Sequence, residues 1–442
     1  MDAPARINFF KGHPSNRLLP NKEIINATTE LLNSDTRSYD SHTEDRHPLT
    51  YGSDEGALWV RNEICKFNNT EIFNLSSDDD TVSKPEYLNL TSGASYGILN
   101  ILLQTTLPHT NYTKQAFIIS PTYFLINDCF VDAGFGDKKL TAIDEVPETN
   151  SIDFDTLQEK LDYFELTNDT LDTDCIVNKE RVLGKKIYKY VMYCVPTFAN
   201  PSGMTFSMET KSKLIDMARK YDMLIICDDV YDILHYDSET VIPKRLVHVD
   251  RETNMDLKSY GNTISNATFS KIIAPGLRFG YQESINENLV RQFSKGGANI
   301  SGGTPSQLNS MIIGTLLQNG GALEIITNLK SVYSKRALTL SNAIKKYLPR
   351  ETIFDTMKGG YFTWVTLPPG YNAKEIELLL KQTHQVIMAN GSNFEVVGDT
   401  RDWGTRSVRL SISFLEENDL DEGIRLWGEI CHEYAKTHRL DF

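Results

Sequence analysis

Two apolar runs constrain the fold more than any other feature. Residues 187–195 read Ile-Tyr-Lys-Tyr-Val-Met-Tyr-Cys-Val, and residues 223–228 read Met-Leu-Ile-Ile-Cys-Asp. Both are too short to be long helices, and neither alternates cleanly between apolar and polar positions. Runs of this kind form strands buried on both faces, as in parallel sheets covered by helices. Strand-like segments at 87–90, 116–120, 140–143, 266–269 and 278–282 alternate with helix-like ones at 96–107, 124–133, 153–164 and 208–221. That alternation predicts an α/β fold whose large domain has a mainly parallel sheet sandwiched by helices. Helices are also expected at 21–33 and 57–67. A long helix over 321–347 leads into a smaller α+β unit, with strands near 360–366, 386–388 and 408–413 and a last helix over 418–436. The expected division is an N-terminal segment (1–50) joining the small domain, a large domain (51–325) and a small C-terminal domain (326–442). Segments 76–85, 166–186 and 237–262 read as long surface loops, the first an acidic, solvated insertion.

Length and charge narrow the function. The chain has 442 residues, 40% of them hydrophobic, enough for two cores, since single cores stop growing near about 250–300 residues. No apolar run reaches the roughly 18 residues of a membrane span. Residues 1–6 lack a basic region followed by an apolar one, so a cytoplasmic location is expected. Six cysteines (65, 129, 175, 194, 227 and 431) lie scattered through the chain and read as reduced thiols, without the spacing of a metal site. The glycosylation sequons at Asn26, Asn68 and Asn111 are expected to be unused. A net charge of −14 argues against nucleic acid or an anionic membrane as partner. It leaves room for an anionic small molecule, because a local arginine outweighs distant acids.

The densest chemistry lies in Thr268-Phe269-Ser270-Lys271-Ile272-Ile273-Ala274-Pro275-Gly276-Leu277-Arg278. Phe269, Ile272 and Ile273 give the Lys271 amine apolar surroundings, which disfavour the ammonium form and make the amine a better nucleophile. Arg278 is a fixed cation suited to phosphate. A nucleophilic lysine with hydroxyls and an arginine is what a covalently held aldehyde phosphate needs, and pyridoxal 5′-phosphate fits that description.

Further motifs fall at strand ends. Gly93-Ala94-Ser95 opens a helix, where unpaired N–H groups and the helix dipole favour phosphate. Tyr123, after Ser120-Pro121-Thr122, can lay its ring on a planar cofactor. Asn200, held by Pro201, can donate to a phenolate-like oxygen. Asp228 follows an apolar strand and needs a cation or a proton, which a pyridinium N–H supplies; Tyr231 lies three residues on. Arg409 sits in the strand-like Ser407-Val408-Arg409-Leu410-Ser411 and can grip a carboxylate through two hydrogen bonds. Each motif also has a plain structural reading. These are a solvated surface lysine for Lys271, a glycine turn at Gly93, ring packing for Tyr123, a turn at Asn200, a helix N-cap for Asp228 and a surface salt bridge for Arg409.

In this order and spacing the motifs resemble the fold type I pyridoxal-phosphate aminotransferases, in the class I/II branch that includes 2-aminoadipate, kynurenine and aromatic aminotransferases. The resemblance rests on Asn200-Pro201-Ser202-Gly203, Asp228-Asp229-Val230-Tyr231, Ser270-Lys271 with Arg278, and the strand of Arg409. It implies that Lys271 holds the cofactor covalently and shuttles the proton, and that Asp228 meets the pyridine nitrogen. Asn200 and Tyr231 bond the phenolic oxygen, and Tyr123 stacks on the ring. Gly93, Ala94, Ser95, Thr268, Ser270 and Arg278 hold the phosphate, and Arg409 takes the substrate α-carboxylate. It further implies that Gly12 contacts substrate, that Tyr51 reaches a neighbouring subunit's site, and that the protein is a homodimer with shared active sites. One departure is Ala94, where relatives often carry a hydroxyl. The implied activity is ping-pong transfer of an amino group between an amino acid, of 2-aminoadipate or aromatic type, and 2-oxoglutarate, with no metal. A β-lyase acting on a sulfur amino acid uses the same core residues; a non-catalytic pyridoxal-phosphate-binding regulatory protein is a second alternative, which the acidic charge and the lack of a helix-turn-helix pattern before residue 50 disfavour.

Overall fold

The computed structural model describes residues 6–34, 39, 41–76, 79, 81–166, 184–237, 242–256 and 258–442. Its centre is an eight-stranded sheet: β1 (Leu88–Thr91), β2 (Gln115–Ser120), β3 (Leu140–Val146), β4 (Ser151–Ile152), β5 (Tyr190–Cys194), β6 (Met223–Asp229), β7 (Thr263–Thr268) and β8 (Gly280–Ser284). The spatial order is β1-β8-β7-β6-β5-β2-β3-β4. Strands β3, β2, β5, β6 and β7 are parallel to one another. Strand β8 runs antiparallel to β7 and β1, and β4 antiparallel to β3.

The two apolar runs become the adjacent central strands β5 and β6, buried along their whole length. Successive side chains leave a strand on opposite faces, so each strand feeds two cores. Val191, Tyr193, Leu224 and Ile226 pack into one cluster. Tyr190, Met192, Cys194, Met223, Ile225 and Cys227 pack into another, beneath the helix Met208–Tyr221. This explains the missing alternation: neither face of these strands meets water.

A second, antiparallel sheet is ordered Ile353–Phe354, Phe362–Thr366, Ser407–Ser411, Ala389–Asn390. The 27-residue helix Gly321–Tyr347 packs along the C-terminal helix Glu417–His438 beside it. Ile7–Asn8 pairs in parallel with Val386–Ile387, which draws residues 9–15 across the C-terminal ends of the large sheet's strands. Among the described residues no helix is long and apolar enough to cross a membrane, and no cluster of potential ligands could hold a metal ion.

Two of the three loop expectations are revised, and the third is left untested. Segment 237–262 carries the helix Leu246–Thr253, with 238–241 and 257 outside the described residues. In the acidic segment 76–85, Thr81 and Ser83 are buried. Arg251 donates to Thr81 O at 2.6 Å, and Ser83 Oγ donates to Glu283 Oε1 at 2.7 Å. Most of 166–186 (residues 167–183) lies outside the described residues. Segment 285–320, unassigned from sequence, holds three helices: Glu287–Ser294, Gly297–Gly302 and Gln307–Gln318. The five described cysteines are free, Cys175 lies outside the described residues, and the sequon residue Asn68 is buried.

Candidate active site

A cavity of about 460 Å³ opens where β2, β5, β6 and β7 end, beneath residues 10–13. Loops leaving the carboxyl ends of parallel strands diverge there, which makes such ends the usual place for ligands. Asp228 is the last residue but one of β6, Asn200 lies in the turn after β5, and Lys271 follows β7.

Asp228 is 6% exposed and takes two hydrogen bonds: Tyr193 donates to Oδ2 at 2.9 Å and Asn266 Nδ2 to Oδ1 at 3.0 Å. Burial pushes its carboxyl up to about 6, against the opposing pull of Tyr193, Asn266 and Lys271. It caps no helix, because β6 runs on through Asp229 and the next helix starts at Leu246. Neither Tyr193 nor Asn266 figures in the sequence reading. The signal for Asn266 is a carboxamide in the middle of a wholly buried strand, directly beside Asp228 in register.

The Lys271 ammonium donates to Gly12 O at 3.2 Å. Burial pushes the amine down to about 8; Asp228 acts against this, while Arg409 and Arg278 add to it. The backbone beneath it is held by Tyr361, whose hydroxyl donates to Lys271 O at 2.6 Å. Lys271 therefore lines a cavity under its own N-terminal strap and is not a solvated surface lysine.

An anion cradle forms next to it. The helix Ala94–Thr105 starts at the cavity with Gly93 as N-cap and no side chain capping its first turn. Gly93 has φ +86°, and a Cβ there would lie 3.1 Å from Arg278 Nη2. Arg278 adopts φ +48°, a left-handed conformation that a non-glycine residue holds only when its surroundings impose it. Its Nη1 donates to Ser270 Oγ at 3.4 Å, and Thr268 Oγ1 donates to Ser270 Oγ at 2.9 Å. Ala94 and Ser95 line the cavity with these groups. Free helix-end N–H groups, a guanidinium and two hydroxyls are a phosphate site by composition.

Arg409 is 3% exposed and sits mid-strand between Trp364 and Ala389. Nη1 donates to Asn200 Oδ1 at 3.1 Å and Nη2 to Phe10 O at 2.7 Å, while Nε is buried without an acceptor. Its guanidinium lies 4.2 Å from the Phe362 ring centre, 5.0 Å from Phe394 and 5.5 Å from Phe10. Burial pushes its pKa down to about 10, still well above neutrality, so it remains a cation. It makes no surface salt bridge. Asn200 is also hydrogen-bonded to Tyr231, whose hydroxyl is raised chiefly by burial. Tyr123 lines the cavity, its ring 5.9 Å from that of Phe124. Tyr51 is not brought to this cavity within one chain: it is 74% exposed and lies near Gly302.

These residues fit pyridoxal 5′-phosphate. The anion cradle suits its phosphate and the Lys271 amine its carbonyl. Asp228, the one carboxylate among the described lining residues, suits its ring N–H. The sequence comparisons agree. The model for "Aminotransferase class I and II" matches residues 13–425, so the chain belongs to that family. It is a pyridoxal-phosphate-dependent transaminase, acting on amino acid and oxo acid substrates. An uncharacterized protein of Saccharomyces cerevisiae, YER152C, is 58% identical over 439 residues, 98% of each chain. A 2-aminoadipate transaminase of Thermus thermophilus is 28% identical over 250 residues, 56% of this chain and 59% of that protein. The fold matches the crystal structure of a multiple substrate aminotransferase from Thermococcus profundus at TM-score 0.76 and 23% identity, covering 99% of this chain and 93% of that one.

Proposed function

We propose that this chain moves the amino group of an amino acid of 2-aminoadipate or aromatic type to 2-oxoglutarate by a ping-pong mechanism. The observation that carries the reading is a half-buried lysine and a buried carboxylate sharing one cavity with Arg278 and Arg409, two guanidiniums that no described carboxylate pairs. The Thermus relative, a 2-aminoadipate transaminase, and the rings around Arg409 support the substrate class.

Pyridoxal 5′-phosphate, when bound, supplies the carbonyl that receives the amino group and the ring that draws electrons from Cα. Asp228 would hold the ring nitrogen and keep it protonated, Asn200 and Tyr231 would bond the phenolic oxygen, and Tyr123 would cover the ring. Arg278, Thr268, Ser270 and the first amides of the helix would hold the phosphate. Arg409 binds the substrate α-carboxylate beside Gly12 and turns the Cα–H bond towards Lys271. Nζ of Lys271, a free amine over part of the neutral range, takes that proton and returns it on the other side of the transfer. Positioning of this kind can supply about 7 kcal/mol or more of a barrier reduction.

The same reading divides the chain at about residues 50 and 325. It makes the protein a cytoplasmic homodimer in which Tyr51 of each subunit completes the other's site. Lys271→Ala is expected to abolish both amino transfer and the visible absorbance of the cofactor, and retention of both would overturn the reading. A screen of amino acids against 2-oxoglutarate, with products weighed by mass spectrometry, tests the substrate class.

A further inference from the structure

The charges around the cavity are lopsided. Among the described residues that line it, Lys11, Lys271, Arg278 and Arg409 are cations and Asp228 is the one carboxylate. On the reading above, three of these cations have assigned anionic or carbonyl groups: the phosphate, the cofactor carbonyl and the α-carboxylate. Lys11 has none. No described carboxylate pairs with it, and its ammonium lies 3.8 Å from the ring centre of Phe414. A ring face stabilises an ammonium without neutralising it, so the charge stays available to an incoming anion.

The strap fixes where that charge sits. Phe10 O accepts from Arg409 Nη2 at 2.7 Å and Gly12 O from Lys271 Nζ at 3.2 Å. Ser413 Oγ contacts Lys11 O at 3.4 Å and His13 O at 3.0 Å. Lys11 is therefore carried between the guanidinium assigned to the α-carboxylate and the amine assigned to the reacting carbon. Its flexible four-carbon stem lets the ammonium follow a substrate side chain that leaves that carbon. The other walls near Arg409, Phe10, Phe124 and Phe362, are apolar. An aromatic or aliphatic side chain packs against these rings, whereas an acidic one needs a cation.

We infer that Lys11 is the specificity residue for acidic substrates, taking the distal carboxylate of a dicarboxylic amino or oxo acid. This rests on the transaminase reading of the same site. One cavity then serves two side-chain classes: rings hold the apolar one, and a single ammonium holds the acidic one.

The test uses the holoenzyme converted to its amino form. Its return to the aldehyde form is followed by absorbance with 2-oxoglutarate and with 2-oxopentanoate, which differ only in the distal carboxylate. Wild type is expected to favour 2-oxoglutarate. In Lys11→Met the ratio of the two efficiencies is expected to fall roughly 10- to 100-fold, the range for losing one charge-assisted hydrogen bond. Lys11→Arg, which keeps the charge, is expected to recover much of the ratio. A structural defect would slow both acids alike and leave the ratio unmoved. An unchanged ratio in Lys11→Met, or no preference in wild type, overturns the assignment of Lys11 while the transaminase reading stands. No amino transfer from wild type to either acid overturns 2-oxoglutarate as the acceptor in the proposed function itself.

Discussion

Asp228→Asn separates stability from function and tests the electrostatics of the site directly. Burial lifts the Asp228 carboxyl from 3.8 to about 6 in the folded chain. At about 1.4 kcal/mol per pH unit, that rise corresponds to roughly 3 kcal/mol by which an ionised Asp228 destabilises the cofactor-free fold. The sign follows from the two titrations. Below about pH 4 the carboxyl is protonated in both folded and unfolded chains, so it contributes nothing. Above about pH 6 it is ionised in both, and the folded chain bears the full penalty. Asparagine has nearly the same shape and no charge to bury. The cofactor-free variant is therefore expected to match wild type near pH 4, after allowing for a constant offset, and to gain up to roughly 3 kcal/mol on it between pH 4 and 6. Urea unfolding of both apoproteins across that range measures the difference. The cofactor-bound variant should lose at least about 100-fold in kcat, the lower end for a proton-transfer aid. A stability difference that does not vary with pH would refute the claim that Asp228 is a charge stored for a cationic partner, and wild-type turnover would refute its role opposite the ring nitrogen.

The Lys271 amine, pushed down to about 8, gives a second pH signature. Cofactor uptake by the apoprotein should quicken about tenfold per pH unit below 8 and level off above it, as the free amine becomes the main form; a rate flat from pH 6 to 9 would refute this. Arg409→Ala should raise KM for amino acid and oxo acid together, by roughly 30- to 100-fold for a lost charge-assisted pair. Unchanged KM values would remove its carboxylate role.

The elements legible in the sequence are those whose signal is local. Met208–Tyr221 stands where its pattern placed it because Ser207 caps it, accepting from Thr210 N. Leu246–Thr253 went unread because Arg245 precedes it and no side chain caps it. Glu287–Ser294 did carry a cap, with Asn286 accepting from Asn288 N, but Gly296, Gly297, Gly302 and Gly303 just beyond it make the segment read as loop. Residues of the site were readable where chemistry and strand end coincide, as at Asp228 and Lys271. Tyr193 and Asn266 were not, because what they do depends on which strands lie side by side, and pairing between distant segments leaves no local trace. Thr81 and Ser83 were misjudged for the same reason: their burial comes from Arg251 and Glu283, far along the chain.

The strap over the cavity carries a consequence for turnover. Two of the three nitrogens of the Arg409 guanidinium are already engaged, one by Asn200 and one by the carbonyl of Phe10, and the Lys271 ammonium is engaged by the carbonyl of Gly12. On the proposed role of Arg409, an arriving carboxylate would trade places with the enzyme's own amide oxygens, the Asn200 side chain and the Phe10 carbonyl, with Nε alone left as a bare donor. Such an exchange lowers the net gain from capture, and it leaves the departing product a ready successor for each contact it gives up.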